Sequence, residues 1–297
     1  ARYSLPTVLG TLRKHGVVSA RFIPTALPWR FQYFNLRSHR KLLVVDGRLG
    51  FTGGMNIRVG NMIARSPRRP VRDLHFRIEG PATAHLAQVF AVDWAFTTGE
   101  LLEGPLWFPA LAEAGPSLAR GIADGPDEEM DHLRLAFMGA LSCARRRVRI
   151  VTPYFLPEEA LIDAMNICAM RGVEVDLVLP QANNLAFMTW AAMASLAPLL
   201  ERGVRVWMTP GPFDHTKLLI VDDLWVCFGS TNWDARSLRL NFEMNVECYD
   251  RQLALQLTQS VEKRIADATP LTLEHVNARS LPVRLRDGLV RLLLPYL

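Results

Sequence analysis

Two kinds of hydrophobic pattern recur along this chain. RVRIVTPY from Arg147 and VEVDLVLP from Val173 are β-branched runs suited to strands buried on both faces. Between them PEEALIDAMNICAMRG spaces its apolar residues as a helix does, with acids in the first turn, so the expected order is strand, helix, strand. LLVVD, ending at Asp46, and LLIVD, ending at Asp222, are shorter runs that stop in Asp-Gly and Asp-Asp turns, each followed by a return strand. The stretch from about Gly99 to Asp131 is rich in Gly, Pro and acids and reads as a linker plus the approach to a second unit. LAFMTWAAMASLAPLL from Leu185 is apolar all round and broken by Pro198; a core helix is expected, contact with acyl chains being the other use of such a surface. The C-terminal LPVRLRDGLVRLLLPYL sets Arg284, Arg286 and Arg291 among leucines, to cap the second unit or to lie on an anionic membrane.

An internal repeat fixes the architecture. SHRKLLVVDGRLGFTGGMN matches DHTKLLIVDDLWVCFGSTN: His39, Lys41, Asp46, Gly53, Gly54 and Asn56 become His215, Lys217, Asp222, Gly229, Ser230 and Asn232, each on adding 176. Upstream, LRKHGVVSARFIP resembles LLERGVRVWMTP as helix then strand, with Gly16 answering Gly203 at an offset of 187. The eleven extra residues of the first copy are PWRFQYFNLRS, an aromatic and arginine-bearing insertion that reads either as a packed loop or as a lip at a lipid interface.

In an extended strand alternate side chains share a face, so His39 projects with Lys41 and His215 with Lys217. Double displacement at a phosphodiester needs a nucleophile on one side of phosphorus and an acid on the other. One copy supplies only one of these, and two copies about a pseudo-twofold axis supply both. The lysines can then neutralise the non-bridging oxygens. Gly54 and Ser230 allow close backbone approach, while Asn56 and Asn232 offer neutral donors, which makes these four the candidate phosphate-binding positions. A nucleophilic histidine needs its other ring nitrogen held by an acceptor. Asp73 and Glu243, each at the head of an apolar strand after its motif, are the candidates, with the pairing left open. The remaining histidines are read as surface or satisfied core residues, His75 having a claim to the site only through its nearness to Asp73.

A net charge of +5 favours an anionic partner. Of 34 basic residues only four are lysines, and Lys41 and Lys217 are two of them, so arginine does not substitute there. Cys143, Cys168, Cys227 and Cys248 lack metal or redox spacing and read as buried free thiols. No metal-binding motif is visible, and neither a metal nor a cofactor is expected.

H-x-K-x4-D followed by G-[GS]-x-N, twice, resembles the phospholipase D superfamily, and NLRSHRKLLVVDG, RDLHFRIEGPA, VTPYFLPEEAL and NFEMN resemble its bacterial cardiolipin synthases. The resemblance implies an α/β fold of two similar phospholipase D-type α/β/α halves, residues 1–115 and 116–297, about a pseudo-twofold axis. It implies phosphatidyl transfer between two phosphatidylglycerol molecules with release of glycerol. The phosphohistidine would form on His39, with His215 as acid and then base; the opposite assignment stays open. Asp46 and Asp222 would be supports. Hydrolysis by water, or a nuclease-type phosphodiesterase, are the alternatives. The implied partner is anionic phospholipid at a bacterial membrane surface, bound peripherally by a soluble piece of chain without a transmembrane helix; nucleic acid is not expected. Because the first copy opens at Ala1 with the equivalent of a later helix, that half is expected to be truncated. It should have fewer strands than the second, and an exposed apolar patch beside residues 17–23. The absent part would, on the resemblance, include membrane-anchoring helices.

With lysines at the charge-neutralising positions, turnover of a phosphodiester substrate is expected to be the same in excess EDTA as without it. A loss restored by one divalent ion, with the substrate vesicles themselves unaffected, would overturn this chemistry.

Overall fold

A nine-stranded mixed sheet organises the second copy and draws in one strand of the first. The computed structural model describes residues 7–23, 36–65, 67–183 and 186–293. Across the sheet the strands run Arg37–Ser38, Asn241–Tyr249, Trp225–Gly229, Leu218–Val221, Arg147–Val151, Glu174–Pro180, Arg205–Thr209 and Thr269–Leu271. Leu118–Asp124 also pairs, antiparallel, with Asn241–Tyr249, so the Gly- and Pro-rich connection expected from Gly99 to Asp131 contains a strand. The expected β-α-β unit is present: Arg147–Val151 and Glu174–Pro180 are parallel neighbours joined by the helix Glu159–Met170.

The first copy forms a three-stranded antiparallel sheet, Leu42–Val45, Leu49–Gly53 and His75–Glu79. Its inner face meets the large sheet, where Phe76 stacks on Phe228 with ring centroids 3.6 Å apart. Ile78, Leu86 and Val89 share a core there with Leu218, Ile220, Val226, Met244 and residues of the helix Arg251–Ala266. Asp250 caps that helix, its carboxylate accepting from the Leu253 N–H. A larger core fills the opposite face of the large sheet, beneath the helices His132–Cys143, Glu159–Met170 and Ala186–Glu201.

Several sequence expectations meet corrections. Val8–Lys14 is a helix, but residues 17–21 form no strand. In the second copy Arg205–Thr209 has strands on both sides, whereas among the described residues nothing pairs with 17–21; Val17 and Val18 are exposed. Pro198 lies inside the helix Ala186–Glu201 instead of ending it. Ala191, Ala192, Ser195, Leu196 and Leu199 of that helix are buried, so it is a core helix. The helix Leu281–Leu293 packs on it. Of the cysteines, Cys168, Cys227 and Cys248 are buried free thiols, but Cys143 is exposed at the end of its helix. Residues 24–35, most of the aromatic insertion, lie outside the described residues. Among the described residues no helix is long and apolar enough to cross a membrane.

Asp46 and Asp222 hold equivalent left-handed turn positions, with φ of 52° and 54°, a conformation Asp tolerates better than most residues. Asp222 does more: its carboxylate accepts from the backbone N–H groups of Arg145, Arg146 and Arg147 at 2.8–2.9 Å, tying the turn to the start of the neighbouring strand. Burial works against its charge, yet these donors hold its carboxyl below the usual range. Asp46 is exposed. Alanine at either site incurs the same turn penalty, so Asp222→Ala is expected to destabilise by about 2 kcal/mol more than Asp46→Ala in urea unfolding, reflecting hydrogen bonds to a charged acceptor. Equal losses would show that the three N–H contacts are dispensable.

Candidate active site

Each motif histidine ends a two-residue strand that crosses to the other copy. Arg37–Ser38 runs parallel to Asn241–Phe242, and the His39 N–H donates to the Phe242 carbonyl at 2.8 Å. Phe213–Asp214 runs parallel to Val71–Arg72, and the His215 N–H donates to the Arg72 carbonyl at 2.7 Å. One residue beyond each partner pair stands a carboxylate, Glu243 or Asp73. His39 Nδ1 lies 2.9 and 3.0 Å from the Glu243 oxygens, and His215 Nδ1 lies 2.9 Å from Asp73 Oδ2. The orienting residues are therefore exchanged between copies, which the sequence left open.

The lysines follow the same symmetry. Lys41 Nζ donates to the His39 carbonyl at 2.7 Å and Lys217 Nζ to the His215 carbonyl at 2.6 Å. Burial pushes Lys41 down to about 8, against the pull of Glu243 and Asp73, and Lys217 down to about 7, against Asp73. The two halves differ in their carboxylates. Burial raises Asp73 to about 7 despite Lys217. Burial also opposes charge on Glu243, but the His39 ring and Lys41 hold its carboxyl below the usual range. The His215 imidazole is pushed well down by burial and by Lys217 and Lys41. Its side chain is 9% exposed, that of His39 28%.

Behind the histidines the copies use different chemistry for one task. Ser230 donates its hydroxyl to Glu243 Oε2 at 2.5 Å and accepts from the Met244 N–H at 3.0 Å. Gly54 leaves that volume empty: a Cβ there would lie 2.3 Å from Asp73 Oδ1, so the shorter carboxylate fits against bare backbone. The Gly54 carbonyl also faces His215 Nδ1 at 3.2 Å. Gly54 and Ser230, candidate phosphate-binding positions from the sequence, make bonds within the protein. Their N–H groups donate to the Leu74 and Met244 carbonyls, while the Gly54 carbonyl and the Ser230 hydroxyl reach the histidine–carboxylate pairs. Asn56 is exposed, and Asn232 is buried, its Nδ2 donating to Ser237 Oγ at 3.0 Å and its Oδ1 without a partner among the described residues. His75 stands on its strand near Lys41, its buried Nδ1 without a partner among the described residues.

Two buried arginines were not legible in the sequence. Arg40, the middle residue of the first motif, donates to the Glu243 carbonyl at 3.0 Å, to Asp93 at 2.7 Å and to Glu129 at 3.1 Å. At the second motif Thr216 takes that place, and Arg264 arrives from a distant helix to meet Asp214 at 2.8 Å and Thr216 Oγ1 at 3.4 Å. Nothing in local spacing connects Arg264 to His215; Arg40 lay inside a recognised motif but at its variable position. The rings of Tyr154 and Phe213 stand 6.1 and 6.0 Å from the His215 ring. Among the described residues no group of three or more His, Cys, Asp or Glu side chains is placed to hold a metal ion.

Two H-x-K motifs interlocked about a pseudo-twofold axis, each histidine backed by the other copy's carboxylate, define a phospholipase D-type protein. The chain belongs to the phospholipase D superfamily. Residues 137–265 match the family described as cardiolipin synthase, PLD-like domain. Over 97% of its length the chain is 33% identical to the cardiolipin synthase of Staphylococcus aureus strain Mu50, and over 96% it is 32% identical to the major cardiolipin synthase ClsA of Bacillus subtilis strain 168. It spans 59% and 60% of the length of those two relatives. Phosphatidylserine synthase of Haemophilus influenzae Rd KW20 shares the fold with a TM-score of 0.65 at 18% identity, covering 88% of this chain and 71% of that one.

Because the lysines lose their protons as pH rises through about 7 and about 8, the site's affinity for sulfate, whose own charge is constant, is expected to fall across that window. Lys217→Arg should keep binding above it, since guanidinium stays charged. A flat affinity profile for the unaltered protein would remove the lysines from anion binding.

Proposed function

We propose that this chain carries the active site of a phosphatidyltransferase of cardiolipin synthase type. It would move a phosphatidyl group from one phosphatidylglycerol to the hydroxyl of another and release glycerol. The observation that carries the reading is the crosswise His–carboxylate pairing, which gives one site two oriented imidazoles of unlike character. The similarity to cardiolipin synthases supplies the substrate class.

The more accessible His39 is the nucleophile. Its Nδ1–H donates to the ionised Glu243, leaving a lone pair on Nε2 to attack phosphorus. As the new P–N bond forms, the P–O bond to the departing glycerol breaks, and His215 gives that oxygen a proton. The Gly54 carbonyl and Asp73 hold the hydrogen on His215 Nδ1. Burial and the two lysines push the imidazole down in the free protein, so the proton that Nε2 delivers is taken up with the phosphodiester, whose negative charge beside the ring favours the imidazolium. Lys41 and Lys217 offset charge on the non-bridging oxygens. In the second half His215 takes the proton of the acceptor hydroxyl, the new P–O bond forms, and the P–N bond breaks to restore His39. Water in place of the lipid alcohol gives phosphatidic acid by the same steps.

With a phosphatidyl ester of p-nitrophenol, whose departure needs no acid, His215→Asn should still form the intermediate but slow its release by about 10²-fold or more, so that quenched protein carries an acid-labile phosphatidyl adduct whose mass maps to His39. His39→Asn should carry none. An adduct on His215 in the His39 variant would reverse the roles, and cleavage of plasmid DNA with no turnover of phosphatidylglycerol vesicles would replace the substrate class.

A further inference from the structure

The helix Leu281–Leu293 turns one face inward and leaves a second, apolar face exposed. The inner face packs on the helix Ala186–Glu201. Asp287, the helix's one acid, is buried there and paired with Arg279 at 2.5 Å and Arg286 at 2.7 Å. Arg286 lies 4.1 Å over the Trp190 ring. These contacts fix the rotation of the helix about its axis. They leave Leu281, Leu285, Leu289 and Leu292 exposed together, at i, i+4, i+8 and i+11, within one narrow stripe on the outer side. Arg284 and Arg291 are exposed along one flank of that stripe.

Four large aliphatic side chains aligned in solvent are not explained by packing, since the inner face already anchors the helix. We infer that this stripe lies in the interface of an anionic phospholipid membrane. The leucines would be among the acyl chains, and Arg284 and Arg291 at the phosphate level. Charge decides between occupants. With Asp287 buried and neutralised, the outer face offers only positive charge, which suits anionic headgroups. A second copy packed stripe to stripe would bring like-charged arginine flanks together. This inference rests on the phosphatidyltransferase reading and names the surface that brings the site to its lipid.

The test is sedimentation of the chain with vesicles of phosphatidylcholine alone or mixed with phosphatidylglycerol, in parallel with turnover of a short-chain phosphodiester that stays dissolved. Leu285→Ser with Leu289→Ser should lower binding to the mixed vesicles by about tenfold or more. Arg284→Gln with Arg291→Gln should lower it roughly thirtyfold while hardly changing binding to phosphatidylcholine. Both pairs should turn over the dissolved substrate as the unaltered chain does, and circular dichroism should show their helix content retained. Leu285→Trp should add fluorescence quenched by lipids brominated on the acyl chain. A His39→Asn variant that binds vesicles normally but is inactive keeps the two readings separate. Vesicle binding unaffected by the leucine pair overturns the inference. So does a lipid-free dimer that this pair dissolves, which would make the stripe an interface between copies, and so does preferential binding of DNA lost with the arginine pair.

Discussion

The structure depends on an exchange of carboxylates between the two copies of the repeat. A histidine whose Nδ1 is unheld can rotate and choose either tautomer. Here each ring is fixed by a carboxylate one residue past the segment that its own motif strand pairs with, in the other copy. The backbone pairing and the side-chain bond therefore form together. Separating the halves would undo both, and the site exists only as a property of their interface.

That interface concentrates charge where water is scarce. Two lysines, two carboxylates and two imidazoles share a region in which Lys217 and Glu243 are buried. Leaving any one of them unpaired would be costly. The copies reach balance by unequal means. Glu243 reaches further and is steadied by the Ser230 hydroxyl; Asp73 is shorter and lies against Gly54, where no side chain could fit. Arg40 grips the Glu243 backbone from within one motif, whereas Arg264 supports Asp214 and Thr216 from a helix far along the chain. The two copies share the ring nitrogens' surroundings and differ in what lies behind them. Burial dominates at Asp73 and raises it, whereas at Glu243 the His39 ring and Lys41 outweigh burial and hold the carboxyl down.

The local parts are already legible along the chain. A side chain's face in a strand follows from its spacing, so H-x-K placed each lysine beside its histidine. The constant offset of 176 between six residue pairs marked two equivalent half-sites, and the heads of the strands at Asp73 and Glu243 marked the two carboxylates. The β-branched runs specified the buried parallel strands because a fully apolar run leaves no face for water. Which copy touches which is settled by packing alone. The crosswise His39–Glu243 and His215–Asp73 pairs are 204 and 142 residues apart, and either pairing is compatible with the pattern along the chain. The strand Leu118–Asp124, hidden in a Gly- and Pro-rich connection, forms because the edge of Asn241–Tyr249 is there to accept its hydrogen bonds. Residues 17–21, with a β-branched pattern much like that of Arg205–Thr209, form no strand because no described neighbour offers them an edge. Periodicity states which face a residue will show; only packing states what that face will meet.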